Sequence, residues 1–135
     1  VRCMRMALRH AGMNPEDIDY LNAHGTSTSV GDANEVKAIR EVFGDHAKKL
    51  VVNSTKSMTG HLLGGAGGIE SVFSVMAVAE QVSPPTINLD KVDPECEGID
   101  FCANQARKMT IRAAMKNSFG FGGTNSTVIY KRYEA

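Results

Sequence analysis

With 135 residues, 42% of them hydrophobic and 22% charged, the chain has the size and composition of a single globular domain. Its 15 basic and 15 acidic side chains balance, so charge gives no argument for binding to nucleic acid or to an anionic membrane. No run reaches the roughly 18–20 apolar residues of a membrane-spanning helix, and no charged-then-apolar signal segment opens the chain.

The cysteines are expected to be free thiols. Cys3, Cys96 and Cys102 are odd in number and form no C-x-x-C pair, and the histidines and cysteines share no metal-ligand spacing. No metal site is therefore expected, and a reducing compartment, the cytoplasm, is favoured. The chain begins at Val1 inside a helical pattern, which we interpret as the later part of a longer polypeptide.

The first third of the chain predicts a helix, a turn and a strand. Residues 3–11 place apolar side chains on one face of a helix that ends at Gly12. His10 is expected on the surface of this helix. Residues 14–17 predict a turn or a single helical turn, and residues 18–23 predict a short strand.

A histidine among small residues follows this strand. His24 precedes five small residues, four of them hydroxylic. Asp32 is the predicted N-cap of the next helix, and Glu35 completes a capping box. That helix ends at Gly44, and His46 beyond it is expected to be solvated. Its apolar face is formed by Val36, Ile39, Val42 and Phe43.

The stretch 53–70 follows the apolar run 50–52 and predicts a loop that leads from a strand into a helix. It carries Lys56 and His61 among small residues, and four of its last seven residues are glycine. A structural loop rarely combines a cation, an imidazole and so many glycines.

Two phosphate-binding motifs can be excluded by spacing. A dinucleotide fingerprint that starts at Gly65 would need glycine at Glu70, and a P-loop that starts at Gly60 would need lysine at Ala66. What remains is a glycine-rich start of a helix, whose free N–H groups favour an anion or a carbonyl oxygen.

Residues 69–82 are apolar on every side, which predicts a helix buried on every side. Glu70 in its first turn needs a partner if it is buried, and we expect Lys56 or a bound cation to supply one. The prolines at 84–85 end the helix, and the chain to Gly98 is an irregular connection.

Strands are predicted at 99–102, 111–118 and 126–131, with a glycine-rich turn at 119–125 that contains two phenylalanines. Three loops thus share one construction, in which a strand ends and a reactive or aromatic residue follows among Gly, Ser and Thr. In an α/β sheet such loops converge at the carboxyl ends of the strands.

The sequences of residues 22–28, 54–61 and 117–125, with 84–89, resemble the C-terminal half of a β-ketoacyl-acyl carrier protein synthase. The resemblance is greatest to the elongating enzymes of dissociated fatty-acid synthesis. It implies an α/β thiolase-like fold, here its C-terminal half with a mixed sheet flanked by helices, expected to be incomplete. Residues 1–135 are interpreted as one partial β-ketoacyl synthase domain.

The resemblance also implies an activity. Members of this family work as homodimers, hold an acyl group on a cysteine and condense it with malonyl-acyl carrier protein, releasing carbon dioxide. Acyl carrier protein is therefore the expected partner, with no nucleic acid or membrane, and no cofactor is implied.

By matching position, His24 and His61 resemble the two active-site histidines and Lys56 the lysine beside them. Loss of carbon dioxide from a malonyl thioester leaves an enolate, which two N–H donors would stabilise. Phe121 resembles the aromatic gate of the acyl tunnel, and its backbone N–H resembles half of an oxyanion hole. The expected substrate-binding residues are Thr26, Thr28 and Gly122, the first two through the pantetheine arm.

Other polar positions resemble residues that support this site from behind, sometimes around a monovalent cation; they are Asn22, Glu35, Glu70 and Asn125. The nucleophile of the family is missing, because none of the three cysteines lies in a turn of small residues between a strand and a helix. Residues 1–135 alone are therefore not expected to condense. They are also not expected to hold a stable native fold, because the other predicted elements cannot cover every face of the apolar helix over 69–82.

Three alternatives stay open at this point. The chain could belong to a ketosynthase module of a polyketide assembly line, or to a chain-length partner that lacks the cysteine. Such partners often lose the histidines as well, whereas both are present here. A non-catalytic binding module built on the same fold is the third alternative, distinguished by whether any thiol of the full protein becomes acylated.

Overall fold

A computed structural model describes residues 1–133 of the chain. It contains helices on both faces of a small mixed sheet, and none of the helices in this range is long and apolar enough to cross a membrane. In chain order the elements are α1 (Arg2–Ala11), β1 (Tyr20–Asn22), α2 (Ser29–Phe43), β2 (Val51–Asn53), α3 (Lys56–Thr59), α4 (Ala66–Glu80), β3 (Val82–Ser83), β4 (Arg107–Lys108), β5 (Ala113–Phe119) and β6 (Asn125–Lys131).

The main sheet has the strand order β2-β1-β5-β6. Strand β1 pairs in parallel with both β2 and β5, and β5 pairs antiparallel with β6. The register aligns Asn22 with Asn53 on one side and with Lys116 on the other. The predicted α/β class with a mixed sheet is confirmed, and three strands present their carboxyl ends along one edge.

The strands alternate between two cores because successive side chains of a strand point to opposite faces. Helices α1 and α2 cover one face, where Met115 of β5 is buried among their apolar side chains. Helix α4 covers the other face, where Ala114 packs with Tyr20 and Ala77. The polar residues that follow in β5 keep this alternation: Lys116 contacts α4, and Asn117 contacts α1 and α2.

Helix α2 begins earlier than predicted. Its N-cap is Thr28, whose Oγ1 accepts the backbone N–H of Gly31 at 3.2 Å. Asp32 lies within the first turn and accepts the N–H of Ser27 at 3.2 Å. The predicted capping box of Asp32 and Glu35 is therefore wrong, because Thr28 supplies an equivalent oxygen one turn earlier and frees the Glu35 carboxylate for the preceding loop.

Helix α4 is not buried on every side within the described residues. It begins at Ala66. On its open face the side chain of Val72 is 58% exposed and that of Met76 is 48% exposed. The helix ends before the prolines, because Gln81 adopts a left-handed conformation at φ 57°. The helix predicted over 69–82 is present with different bounds, and its open face agrees with the expectation that the other elements of this chain cannot cover it.

Three smaller differences concern the connections. Residues 82–83 and 107–108 form a short antiparallel ladder that the sequence pattern did not indicate. The strand predicted at 99–102 is reduced to a single parallel bridge between Asp100 and Val51. His46 is half-buried rather than solvated, with Nε2 2.8 Å from the carbonyl oxygen of Ile18.

The N-cap assignment leads to a stability prediction. Thr28→Ala in the full-length protein removes the acceptor for the Gly31 N–H and should lower the free energy of unfolding by about 1 kcal/mol. Thr28→Ser keeps the oxygen and should lose only a small part of that. Urea denaturation of both variants measures the difference, and equal losses for Ser and Ala would contradict the assignment.

Candidate active site

Two histidines from different loops meet above the carboxyl edge of the sheet. His24 follows β1, His61 lies between α3 and α4, and their ring centroids are 5.4 Å apart at an interplanar angle of 82°. The ring of Phe119, at the end of β5, lies 5.7 Å from His24. The three loops singled out from the sequence thus come together at one place.

A buried carboxylate holds the His24 loop. Glu35 of α2 is 5% exposed, and its two oxygens accept the backbone N–H groups of His24 and Gly25, each at 3.0 Å. Asn117 donates to the same carboxylate at 3.1 Å. Burial raises the pKa of Glu35, and the hydrogen bonds from the loop and from Asn117 oppose that rise.

The His24 loop is also fixed to the loop after β2. Ser54 Oγ donates to the carbonyl oxygen of Gly25 at 2.6 Å. Gly25 has a φ of 37°, and a Cβ at that position would lie 2.6 Å from the Cβ of Ser54. Only glycine permits this approach without movement of one loop, so the contact sets the distance between the two loops that carry the histidines.

His61 is exposed, and one hydrogen bond defines its tautomer. The backbone N–H of Leu63 donates to Nδ1 at 3.1 Å. Because Nδ1 accepts, the proton of a neutral ring lies on Nε2, which becomes a donor. His61 therefore presents an N–H to whatever occupies the space beside His24.

Three buried charges lie beneath the histidines. Lys56 of α3 contacts Glu70 Oε1, which confirms the predicted pairing, and Lys116 of β5 lies 3.0 Å from Glu70 Oε2. Lys56 is 8% exposed, Glu70 is 1% exposed and Lys116 is 2% exposed. The ammonium of Lys116 also contacts Ser118 Oγ.

Lys116 was not among the residues predicted from the sequence. Its signal was a lysine directly after Ala113, Ala114 and Met115 in the strand predicted over 111–118, where a buried cation needs a partner.

A buried hydrogen-bond network joins β1 and β2 below this cluster. Tyr20 OH donates to Asn53 Oδ1 at 2.7 Å, and Asn22 Nδ2 lies 3.1 Å from Tyr20 OH and 3.2 Å from Thr55 Oγ1. Burial raises the pKa of Tyr20, so its hydroxyl stays protonated and donating. Asn22 thus belongs to a buried network, whose other members Tyr20, Asn53 and Thr55 the sequence did not single out.

The surroundings of His24 favour its neutral form. Burial is the largest cause that lowers its pKa to about 4, followed by the charges of Lys56 and His61. Lys116 acts in the same direction, and Glu70 acts against it. At neutral pH the ring is an uncharged imidazole that can donate or accept a hydrogen bond.

The remaining predicted residues lie at more open positions. Thr26 is half-buried and Thr28 exposed, with their hydroxyl oxygens 3.4 Å apart. Phe121 is fully exposed, and Gly122 beside it has a φ of 74°. Asn125 opens β6 opposite Phe119, and its side chain is exposed.

Neither a metal nor a nucleophilic thiol is suggested by the described part of the chain. Residues 1–133 hold no group of three His, Cys, Asp or Glu side chains arranged for a metal ion. All three cysteines are free, and Cys96 and Cys102 are buried. Burial raises the pKa of the Cys96 thiol, with Asp93 acting in the same direction, so its thiolate is disfavoured.

Comparison with known proteins identifies the family of the chain. The family model described as "Beta-ketoacyl synthase, C-terminal domain" matches residues 1–90. The chain is 56% identical over 130 residues to 3-oxoacyl-[acyl-carrier-protein] synthase 2 of Coxiella burnetii, covering 96% of the chain and 31% of that protein. The proteins of the same name from Synechocystis and Staphylococcus aureus are 52% and 53% identical, over 98% and 99% of the chain.

The chain spans about a third of the length of these curated relatives, 31% to 32% of each. Solved structures agree in fold. A type II PKS ketosynthase complex with its acyl-carrier protein (AntDE:AntF) contains a chain with TM-score 0.95 and 41% identity. A beta-ketoacyl synthase from Burkholderia phymatum gives 0.92 and 37%. Each match covers 98% of this chain and 32% of the other, and the predicted thiolase-like fold is confirmed.

The contact between the two loops can be tested by a double-mutant cycle in the full-length protein. Gly25→Ala should lower the free energy of unfolding by about 1–3 kcal/mol, because its Cβ meets Ser54 and its φ is positive. Ser54→Gly in that background removes the clash, so the double variant should lose less than the sum of the two single losses. Strict additivity would contradict the contact.

Gly12→Ala serves as the matched control for this cycle. Gly12 also has a positive φ, 63°, but nothing lies within 4 Å of the Cβ that alanine would add. Its loss of unfolding free energy therefore measures the backbone cost alone, and Gly25→Ala should exceed it.

The shifted pKa of His24 predicts a pH dependence. The folded value is about 4 against an ordinary 6.5, so between these pH values the unfolded chain binds more protons at this position. The contribution of His24 to stability should therefore fall as pH drops through this window and be constant above it. NMR titration of the His24 ring in the full-length protein measures the midpoint, and a midpoint at or above 6 would contradict this account.

Proposed function

The chain belongs to the β-ketoacyl synthase family, as its C-terminal domain, and from that premise we propose that the full-length protein is a 3-oxoacyl-[acyl-carrier-protein] synthase of fatty-acid elongation. In this reaction a cysteine thioester carries the growing acyl chain. Malonyl-acyl carrier protein loses carbon dioxide, and the electrons of the broken C–C bond form an enolate. The enolate carbon attacks the acyl thioester, a new C–C bond forms, and the cysteine thiolate leaves.

The observation that carries this proposal is the pair of imidazoles from two loops, edge to face at 5.4 Å. The enolate oxygen of decarboxylated malonyl thioester gains negative charge as carbon dioxide leaves. His61 Nε2–H and a neutral His24 are two donors for that oxygen, and donors fixed before the reaction lower the barrier without reorganisation. A protonated His24 would instead bind anions tightly in the ground state.

Lys56 supplies positive charge beneath the same oxygen. It is buried against Glu70, which fixes its position and compensates part of its charge. In the proposed reaction Lys56 acts through its electrostatic field on the enolate and on the protonation of His24. Glu35 and Asn22 act further back, because the first holds the His24 backbone and the second joins β1 to Thr55.

The proposed substrate contacts come from the predicted residues at exposed or half-buried positions. The hydroxyls of Thr26 and Thr28 would hold the pantetheine arm, since their 3.4 Å separation leaves donor and acceptor capacity for a ligand. Phe121 would gate the acyl tunnel, with its backbone N–H in the oxyanion hole of the acyl thioester. Gly122 would give the gate its backbone freedom, and Asn125 would support the turn at the start of β6.

The proposed partners follow from membership of the same family. Acyl carrier protein would deliver both thioesters, and the AntDE:AntF structure is a ketosynthase with such a protein bound. We extend the proposal to a homodimer in the cytoplasm that needs no cofactor, nucleic acid or membrane. Residues 1–135 form the C-terminal part of the enzyme in this proposal, and the cysteine nucleophile would come from elsewhere in the full-length protein.

Polyketide synthesis is the competing function, because several structural matches are ketosynthases of polyketide pathways. Sequence identity favours fatty-acid elongation: it is 52–56% to the 3-oxoacyl-[acyl-carrier-protein] synthases 2 above and 41% to the type II PKS ketosynthase. Repeated elongation of saturated acyl-carrier-protein substrates would support the fatty-acid function. Activity only with poly-β-keto substrates would support polyketide synthesis.

The proposed roles of the histidines predict a loss of decarboxylation. His24→Ala or His61→Ala in the full-length enzyme should lower the rate of carbon dioxide release from malonyl-acyl carrier protein by about 10²–10³-fold, as for the loss of other oxyanion donors. Acyl transfer to the cysteine should fall less, because that step uses a different oxyanion hole.

His10→Ala is the matched control, since His10 is exposed on α1 and should leave both half-reactions unchanged. Wild-type decarboxylation in both site variants would refute the assignment. Mass spectrometry of the full-length protein after incubation with acyl-carrier-protein thioester tests catalysis as such. If no thiol becomes acylated, the non-catalytic binding module is favoured instead.

A further inference from the structure

Two lysines share one buried carboxylate beneath the histidines, and an ion pair needs only one. Lys56 contacts one oxygen of Glu70, and Lys116 lies 3.0 Å from the other. All three side chains are buried, so water screens their charges weakly. With both lysines protonated, the cluster carries a net charge of one positive unit inside the protein.

The position of Lys116 follows from the sheet. The register places it beside Asn22 of β1, on the face that packs against α4. The ammonium group lies against the first turn of α4: a Cβ built on Gly67 would be at ordinary van der Waals distance, 3.7 Å from Lys116 Nζ and 3.5 Å from Ser118 Oγ. The backbone of three elements therefore fixes where this cation lies.

The surroundings do not neutralise the surplus charge. The start of α4 beside Lys116 adds the positive end of a helix dipole. The contact of Lys116 with Glu70 Oε2 is an ion pair without hydrogen-bond alignment, because this oxygen and Asn22 Oδ1 are the buried side-chain oxygens left without a hydrogen bond in the described residues. A surplus cation kept in such a place lowers the stability of the substrate-free protein.

Negative charge appears nearby at one stage of the proposed reaction, on the malonyl carboxylate and then on the enolate oxygen. We propose that Lys116 is a positioning residue of this site: with Lys56 it holds Glu70 between two cations and adds to the positive field that disfavours protonation of His24 and favours the enolate. Only the effect on the enolate rests on the proposed function, because the effect on the protonation of His24 needs no substrate.

Charged or titratable groups from several elements and loops surround His24. Lys56 of α3, His61 of the following loop and Lys116 of β5 disfavour its protonation, Glu70 of α4 favours it, and burial disfavours it most. Glu35 of α2 contacts the backbone of His24. Removal of Lys116 therefore shifts the balance towards a protonated ring, which can no longer act as a neutral donor at low pH.

The test compares Lys116→Met and Lys116→Gln with the wild type in the full-length enzyme. Both variants leave the Lys56–Glu70 pair intact, which is a neutral buried unit and should preserve the fold. Lys131→Met is the matched control, since it removes the same charge from an exposed position on β6. Circular dichroism and urea denaturation check that each variant is folded.

In both Lys116 variants the midpoint of the His24 NMR titration should move to higher pH. The acid limb of malonyl decarboxylation should move with it, and the rate at neutral pH should fall by less than the roughly 10²–10³-fold that loss of a direct oxyanion donor costs, because only the field on the enolate is weakened. Lys131→Met should change none of these. A titration midpoint and pH profile that stay at wild-type values in the Lys116 variants would overturn the proposal.

Two further outcomes separate this inference from the proposed function. If the midpoint moves but His24→Ala leaves decarboxylation unchanged, the electrostatic role of Lys116 stands and the proposed function falls. If activity falls in the Lys116 variants while the midpoint and the pH profile stay fixed, Lys116 only fills space, and the positioning role is refuted.

Discussion

The parallel pairing of β1 with both β2 and β5 is the constraint on which the rest of the structure depends. Parallel strands end at the same edge of a sheet, so the loops after β1 and β2 and the end of β5 must meet there. The register aligns Asn22, Asn53 and Lys116 in one row. A slip of one residue would turn each side chain to the opposite face and separate the histidines from the charges beneath them.

Two buried carboxylates then fix the two faces of the site in different ways. Glu35, on the α2 side, accepts backbone N–H groups and so determines the path of the His24 loop. Glu70, on the α4 side, contacts two lysines and so determines where positive charge lies. The β5 strand serves both, because Asn117 reaches one carboxylate and Lys116 the other.

Much of this could be predicted from local sequence signals. Helical periodicity located α1 and α2, and Gly12 and Gly44 marked their ends. The pairing of Lys56 with Glu70 followed from the cost of a buried carboxylate. The start of α2 could not be predicted, since two oxygen-bearing residues competed for the cap and only the path of the loop decides between them. Lys116 was missed for a related reason: its burial depends on a partner 46 positions away in sequence, which no local pattern reports.

The two imidazoles differ in how firmly they are held, and this difference has an entropic consequence. The His24 backbone is bound to a buried carboxylate and its loop to Ser54. His61 is exposed on a loop followed by four glycines, and its ring accepts a single hydrogen bond from Leu63. Ordering such a side chain around a bound substrate costs conformational entropy, on the order of 1 kcal/mol. That cost grows in proportion to absolute temperature and falls on His61 far more than on His24, so under the proposed function one donor would be ready in advance and the other would be organised by the substrate.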